Sequence, residues 1–181
     1  MIKKKSMSAL GRLSIEAYRQ AEKLPLVVVL DNVRSLHNVG SVFRTSDAFR
    51  IEKLYLTGIT ARPPHREIQK TALGATESVD WSYEKEIKLL VENLKSDGYL
   101  ICALEQAGGS VQIDDFQWDG KQKLVLVVGN EVDGISDEIL PLIDTCLEIP
   151  QFGTKHSFNV SVACGIALWE LYRKSTWQKE S

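Results

Sequence analysis

The stretch L-V-V-V-L at residues 26–30 is an uninterrupted run of apolar side chains. A half-exposed strand would alternate apolar and polar residues, so this run predicts a strand buried on both faces of a parallel sheet. Similar runs follow at Lys53 to Thr57, Tyr99 to Leu104, Leu124 to Gly129 and Cys146 to Ile149. The sequence therefore predicts a parallel sheet at the centre of the fold.

Helical patterns separate these apolar runs. They cover Val39 to Arg50, Glu84 to Ser96, Ser136 to Ile143 and Asn159 to Lys174. Strands that alternate with helices indicate an α/β fold, a parallel sheet with helices on both faces. Two stretches, 59–76 and 106–123, fit neither pattern, and we expect them to be long functional or mobile loops.

The segment before the first strand has the pattern of an amphipathic helix. Apolar residues recur at helical spacing from Ser8 to Lys23, and Pro25 is expected to end the helix. The expected apolar stripe consists of Leu10, Leu13, Ala17 and Ala21. Because a chain of 181 residues is most simply one globular domain, we divide it into a basic arm and helix over 1–24 and one main domain over 25–181.

The charges are distributed unevenly along the chain. Residues 1–76 carry 13 Lys and Arg against 6 Asp and Glu, whereas residues 77–148 carry 5 against 16. The net charge of -2 therefore hides a basic N-terminal part. This part is either a docking face for a polyanion or simply a solvated surface.

Composition excludes several classes of protein. No apolar run approaches the roughly 18 residues of a membrane span, so we expect a soluble, cytoplasmic chain without membrane contact. The three cysteines lie in apolar surroundings without close pairing, and the three histidines lack metal-ligand spacing, so we expect core cysteines, no disulfide and no metal. No glycine fingerprint or nucleophile elbow follows a strand, which disfavours a nucleotide-dependent oxidoreductase and a serine hydrolase.

Polar side chains are concentrated after three of the predicted strands, at residues 31–44, 129–136 and 149–161. Ligands of parallel sheets collect at the carboxyl ends of the strands. Asn38 is a candidate cap of a helix whose amides near Gly40 and Ser41 would face a phosphate. Arg44 either binds phosphate or forms an ion pair with Asp47, three residues further on.

The second and third polar segments carry carboxylate, hydroxyl and amide groups. Glu131 lies on a glycine-rich turn, where it either orients a polar partner, caps a helix or is solvated. Ser157 and Asn159 precede a helix, and each alone is most simply a helix cap.

Four motifs follow one another along the chain. They are N-V-G-S-V-F-R-T-S-D-A-F at 38–49, Q-K-T-A-L-G-A at 69–75, V-V-G-N-E-V-D-G-I at 127–135 and I-P-Q-F-G-T-K-H-S-F-N-V-S-V-A at 149–163. In this order and spacing they resemble the SpoU (TrmH) branch of the SPOUT methyltransferases, which transfer a methyl group from S-adenosylmethionine to a ribose 2′-hydroxyl of RNA. The resemblance covers most of the chain. It implies that activity and cofactor, a C-terminal trefoil knot, and a homodimer in which the cofactor lies close to the partner subunit.

The resemblance also implies roles for individual residues. The catalytic and RNA-contacting polar residues that it implies are Asn38, Arg44, Glu131, Ser157 and Asn159. The implied cofactor pocket consists of Leu104, Gly129, Ile149 and Phe158, and most relatives carry leucine at the last position. Arg44 is the family's proposed general base, yet a guanidinium keeps its charge in proteins and offers only hydrogen-bond donors. We therefore expect Arg44 to bind phosphate, and that phosphate, Ser157 or Asn159 to help remove the proton.

RNA is expected to dock on basic residues outside the knot. The candidates are Lys3, Lys4, Lys5, Arg12, Arg19, Arg62, Arg66 and Lys70. Because the first strand begins at Leu26, we expect no extra N-terminal RNA-binding domain, and this favours a tRNA substrate. A ribosomal RNA substrate and a non-catalytic RNA-binding role are the alternatives.

Overall fold

In a computed structural model that describes residues 2–4 and 11–177, the chain forms a seven-stranded parallel sheet in the order β3-β2-β1-β6-β4-β7-β5. The strands are β1 (Leu24–Asp31), β2 (Ile51–Thr57), β3 (Trp81–Glu84), β4 (Leu100–Leu104), β5 (Val111–Gln112), β6 (Leu124–Val128) and β7 (Thr145–Glu148). The helices are α1 (Ile15–Gln20), α2 (Leu36–Ala48), α3 (Arg66–Ala72), α4 (Ala75–Ser78), α5 (Ile87–Ser96), a 3₁₀ helix (Asp137–Leu142) and α6 (Val160–Lys174). The predicted parallel α/β fold is confirmed.

Successive residues of β1 face opposite sides of the sheet. Leu26, Val28 and Leu30 pack in a core with residues of α2, α3 and α6. Val27 and Val29 pack in a second core beneath α5 and the 3₁₀ helix. Since all five side chains are at most 1% exposed, β1 is covered on both faces, as its apolar run predicts.

The predicted N-terminal helix is too long. α1 begins at Ile15, where the Ser14 hydroxyl accepts a hydrogen bond from the Ala17 amide, and it ends at Gln20. Leu10 lies outside the described residues, and Leu13 and Ala17 are exposed. The predicted apolar stripe is therefore wrong, because the buried side chain of α1 is Tyr18.

Pro25 does not end this helix but is the second residue of β1. The register of β1 with β2 shifts between Leu24 and Val27, and the pairing of β1 with β6 begins only at Leu26. A proline cannot donate to a strand ladder, so it is tolerated at such an irregular position.

The stretch 59–76, predicted as a loop, contains α3 and α4. α3 begins after His65, whose Nδ1 accepts a hydrogen bond from the Glu67 amide at 3.2 Å. β3 was not predicted either, because it is four residues long and none of them is fully buried. The stretch 106–123 is irregular apart from the two residues of β5, as predicted.

α2 begins three residues before its predicted start because its cap is Ser35, not Asn38. The Ser35 hydroxyl accepts a hydrogen bond from the Asn38 amide at 3.3 Å. Gly40 and Ser41 therefore lie inside the helix, and the expectation that their amides face a phosphate is wrong. Gly40 instead allows α3 to approach, since a Cβ there would lie 2.0 Å from the Thr71 hydroxyl.

Cys102 and Cys164 are fully buried core residues, as expected, and Cys146 is partly buried. Burial raises the pKa of both Cys102 and Cys164 to about 12, so these thiols stay protonated at neutral pH. In residues 2–4 and 11–177, no helix combines the length and the apolar character needed to cross a membrane.

β6 lies between β1 and β4, and β7 lies on the far side of β4. The chain runs from β4 to β5 at the far edge of the sheet, returns past β4 to β6, and then crosses back over β4 to β7. The trefoil knot expected for the C-terminal half remains a prediction.

Candidate active site

The three polar segments that follow β1, β6 and β7 meet at the carboxyl edge of the sheet. Asn38 of α2 donates from Nδ2 to Glu131 Oε1 at 3.0 Å. Its Oδ1 accepts from Asn159 Nδ2 at 3.1 Å. Residues separated by up to 121 positions therefore form one hydrogen-bonded cluster, Glu131–Asn38–Asn159.

Glu131 fixes the turn that precedes α2. Its two carboxylate oxygens accept hydrogen bonds from the backbone amides of Arg34 at 3.0 Å and Ser35 at 3.1 Å, in addition to the Asn38 side chain. Partial burial disfavours the charge, but these hydrogen bonds outweigh it and lower the pKa of Glu131 below its usual value. Glu131 thus orients polar partners and is not merely a solvated turn residue.

Asn159 caps α6 and is itself oriented by that role. Its Oδ1 accepts from the amides of Ser161 and Val162 and from the Ser161 hydroxyl at 2.7 Å. The Nδ2 group must then point toward Asn38, which leaves one N–H of the exposed Asn159 amide for a ligand. The cluster therefore offers hydrogen-bond donors but no unoccupied base.

Ser161 belongs to this cluster although sequence reasoning missed it. Its hydroxyl lies 3.4 Å from Asn38 Oδ1 as well as 2.7 Å from Asn159 Oδ1. The available signal was its place in the first turn of α6, two residues after the cap, where a side chain can return to the cap.

Arg44 is not brought into the cluster within this chain. It lies six residues along α2 from Asn38, about 9 Å along the helix axis at 1.5 Å per residue. Its side chain is exposed and makes no hydrogen bond or ion pair with any described residue. The ion pair with Asp47 is therefore wrong, because Asp47 accepts a hydrogen bond from Ser78 instead.

A cleft opens beside the cluster, between the carboxyl ends of β4, β6 and β7. All four residues expected to form the cofactor pocket line it, together with two of the expected catalytic residues, and these six are Leu104, Gly129, Ile149, Phe158, Glu131 and Ser157. Ser157 is exposed, and no described residue is hydrogen-bonded to its side chain. The structure thus gathers the predicted pocket residues around one space.

The cleft also contains acidic residues that sequence reasoning did not select. Glu105 and Glu148 lie on its wall, at the ends of β4 and β7. Glu105 accepts a hydrogen bond from the Ile135 amide, and Glu148 accepts one from the Ser110 hydroxyl. Inspecting the residue directly after each strand would have found Glu105, since the rule used for the other segments applies equally to β4.

The expected RNA-docking residues differ in how they are held. Lys3, Lys4, Arg12 and Arg66 are exposed, and Lys5 lies outside the described residues. Arg19 donates to the Glu77 carbonyl at 2.6 Å, and the Arg62 guanidinium stacks 4.3 Å from the Tyr83 ring centroid. Lys70 lies 3.8 Å from Glu67. Among the described residues, no group of three or more His, Cys, Asp or Glu could hold a metal ion.

An open parallel α/β sheet with a cleft and a polar cluster at its carboxyl edge defines a ligand-binding protein of the α/β class. The model of the SpoU rRNA Methylase family matches residues 25–169. This chain therefore belongs to the SpoU methylase family.

Three similar proteins illustrate the relationship. The tRNA (guanosine(18)-2'-O)-methyltransferase of Aquifex aeolicus is 36% identical over 82% of this chain and 69% of its own length. The crystal structure of the A. aeolicus TrmH/SpoU tRNA modifying enzyme has a TM-score of 0.80 at 30% identity and covers 92% of this chain and 84% of that one. The AdoMet-bound rRNA methyltransferase from Sinorhizobium meliloti has a TM-score of 0.77 at 27% identity and covers 90% and 61%. The chain spans 61% to 63% of the length of other curated relatives that it matches.

Proposed function

We propose that this chain transfers a methyl group from S-adenosylmethionine to a ribose 2′-hydroxyl of RNA. The observation that carries the proposal is the Glu131–Asn38–Asn159 cluster beside the cleft, in a chain of the SpoU methylase family. The A. aeolicus relative is named as a 2'-O-methyltransferase of tRNA, and the S. meliloti structure as AdoMet-bound.

The chemistry of the cleft suits S-adenosylmethionine. Leu104, Ile149 and Phe158 supply apolar side chains for the faces of an adenine ring. Glu105 and Glu148 supply carboxylates for the hydroxyls and cationic groups of the ligand. The knot expected from the family resemblance would hold these loops together.

The bound cofactor supplies a methyl group on a sulfonium, which is already activated for attack by an oxygen nucleophile. The protein's own residues then have to place the 2′-hydroxyl and hold the adjacent phosphate. The remaining N–H of Asn159 is positioned to bind a ribose oxygen, and the free hydroxyl of Ser157 can relay the 2′-hydroxyl proton to the adjacent phosphate or to solvent while giving up its own proton. Glu131 fixes Asn38 and does not act as the base, because its lowered pKa and three hydrogen bonds make it a weak one.

Arg44 is proposed to bind the phosphate next to the target ribose. The Arg44→Ala variant should abolish methyl transfer, which radioactive methyl incorporation into unmodified tRNA would measure. Its affinity for S-adenosylmethionine, measured by calorimetry, should stay within about twofold of wild type, because Arg44 does not line the cleft. Near-normal turnover of the variant would reject this role.

We propose that the chain works as a homodimer. Arg44 is exposed on α2, and Val162 and Trp169 expose 51% and 53% of their surface on the neighbouring helix α6. A second copy that covers this face would bury the apolar side chains and could bring one subunit's Arg44 to the other's cleft.

The Trp169→Glu variant should be monomeric, as measured by light scattering, and inactive, as measured by methyl incorporation. Leu89→Glu is the matched control, because Leu89 is similarly exposed but lies on α5, on the opposite face of the sheet. An active Trp169→Glu monomer would contradict the proposed dimer.

A tRNA in the cytoplasm is the proposed substrate, with the arm over 1–24 and the basic residues around α3 as the docking surface. Mass spectrometry of tRNA and rRNA nucleosides from cells with and without the gene tests this. One 2′-O-methylated nucleoside should be missing from the tRNA fraction. Its loss from the rRNA fraction would identify ribosomal RNA as the substrate. If calorimetry detected no binding of S-adenosylmethionine, the chain would be a non-catalytic relative.

A further inference from the structure

The loop between β7 and α6 carries an aromatic side chain that no described residue covers. Phe152 is 97% exposed, whereas phenylalanine is ordinarily among the more buried residue types. The two ends of the loop are anchored, since Ile149 and Val160 are only 8% and 7% exposed. The ring therefore lies on a loop that is held in place at both ends.

This loop also forms one border of the proposed active site. Gln151, His156 and Ser157 line the cleft, and Asn159 at the end of the loop belongs to the hydrogen-bonded cluster. Phe152 itself is not part of the lining. It lies outside the cleft, on the exposed part of the loop that borders it.

The charge of the loop favours a polyanion. Between Ile149 and Asn159 the ionisable side chains are Lys155 and His156, and no carboxylate is present. Lys155 is exposed and forms no ion pair with a described residue. Phe152 and Lys155 are three residues apart on this exposed loop. Proteins bind single-stranded RNA by stacking a base on an aromatic ring and contacting the phosphate with a basic side chain.

We propose that Phe152 is a stacking platform for an unpaired nucleobase next to the target nucleotide, and that Lys155 contacts the neighbouring phosphate. The inference rests on the proposed function and specifies its substrate class. A nucleobase can reach the ring only if it is unstacked, so the target lies in a loop or a single-stranded segment and not within a duplex.

Three variants of Phe152 test the proposal with a pool of unmodified tRNA transcripts as the probe. Phe152→Ala and Phe152→Leu should raise both the Kd and the KM for tRNA by roughly 5- to 150-fold, the range expected for one lost base stack. The kcat and the affinity for S-adenosylmethionine should not change. Phe152→Trp should restore wild-type binding, because it restores an aromatic face that leucine lacks.

Leu89→Ala is the matched control, since Leu89 is a large apolar residue, 58% exposed, on α5. It should bind tRNA like wild type. If Phe152→Leu also binds like wild type, the ring serves apolar packing, for instance against a second copy of the chain, and the stacking role is overturned. Weakened S-adenosylmethionine binding by the variants would overturn it as well, by assigning Phe152 to the cofactor site.

These outcomes can be separated from failure of the proposed function. A wild-type chain that binds tRNA but transfers no methyl group would reject the proposed activity, while the Kd series would still decide the role of Phe152. Absence of tRNA binding by the wild-type chain would overturn both.

Discussion

Asn38 is the residue on which the candidate active site converges, because it accepts from Asn159 and donates to Glu131. Asn38→Asp keeps the shape but replaces the donor with a second carboxylate facing Glu131. We expect kcat to fall by at least about 100-fold and the free energy of unfolding to fall by about 1–3 kcal/mol. Methyl incorporation and urea unfolding measure the two effects.

The control for this variant is Asn93→Asp, the same substitution at an exposed position of α5. It should leave both quantities near wild type. Full activity of Asn38→Asp would show that the orientation of the Asn38 amide is unimportant.

Glu131 should make stability depend on pH in one direction. Its pKa in the folded chain is below the ordinary 4.5, so its contribution to stability is fully present above about that pH and is lost as the pH falls through the lower folded pKa. Glu131→Gln should therefore reduce the free energy of unfolding at pH 7, by about 1 kcal/mol given the partial exposure. The difference from wild type should shrink at acidic pH.

Urea unfolding of both proteins, from neutral pH down to the pH at which wild type begins to unfold, measures this difference. A constant difference across the range would mean that the effect of the substitution does not depend on the charge of Glu131.

At the residue scale, the sequence allowed the members of the site to be predicted but not their partners. The motifs selected Asn38, Glu131 and Asn159, and the structure joins them. Ser161 was missed because its place two residues after the cap is only a weak signal, and the structure is needed to show that its hydroxyl returns to Asn159. The isolation of Arg44 could not be predicted either, because whether its carboxylate neighbour pairs with it depends on competition from Ser78, 31 residues away from Asp47.

At the scale of elements, α2 and α3 are in close contact at Gly40. In Gly40→Ala the new Cβ would lie 2.4 Å from the Ile68 carbonyl, so the helices must move apart. We expect a loss of about 1–3 kcal/mol in the free energy of unfolding, measured in urea. Gly165→Ala on α6 is the control, because its Cβ would lie 3.9 Å from Thr45, and it should be neutral or slightly stabilising. Equal stabilities for the two variants would contradict the close contact.

Lys174 links the end of α6 to the irregular segment before β6 through hydrogen bonds. Its ammonium donates to the carbonyls of Ile113, Asp114 and Phe116 at 3.0, 2.6 and 2.7 Å, and its side chain is 12% exposed. Lys174→Met should lower the free energy of unfolding by about 2 kcal/mol and speed amide exchange in residues 111–120. Lys121→Met is the control, because Lys121 is 78% exposed, and it should change neither the free energy of unfolding nor the amide exchange. Unaltered amide exchange in Lys174→Met would show that Lys174 does not hold this segment in place.

Strands that are buried on both faces could be predicted from the sequence, whereas short elements at the edge of the fold could not. β1, β4 and β6 lie in the interior of the sheet, so selection for burial leaves continuous apolar runs. β3 lies at one edge, and its residues W-S-Y-E carry no such run. α1 was mispredicted because an apolar spacing in the sequence does not show which face of the helix packs against the rest of the protein.

At the scale of the whole molecule, the uneven charge predicts strong salt dependence. RNA bound through several lysine and arginine contacts releases counterions, so raising salt from about 50 to about 200 mM should lower tRNA affinity by at least tenfold. Filter binding over this range measures the slope. Binding of S-adenosylmethionine, which carries little net charge, should change by less than about twofold. A tRNA affinity that did not respond to salt would exclude the basic docking surface.

The position of β6 in the middle of the sheet has a consequence for synthesis on the ribosome. β1, β2 and β3 can pair as soon as they emerge, but β4 has neither of its neighbours until residues 124–128 and then 145–148 have been made. Until residues 124–128 have been made, both edges of β4 and one edge of β1 are unpaired in the nascent chain. A premature stop near residue 120 should therefore yield an aggregating product, since the truncated chain would lack the strand that joins its halves.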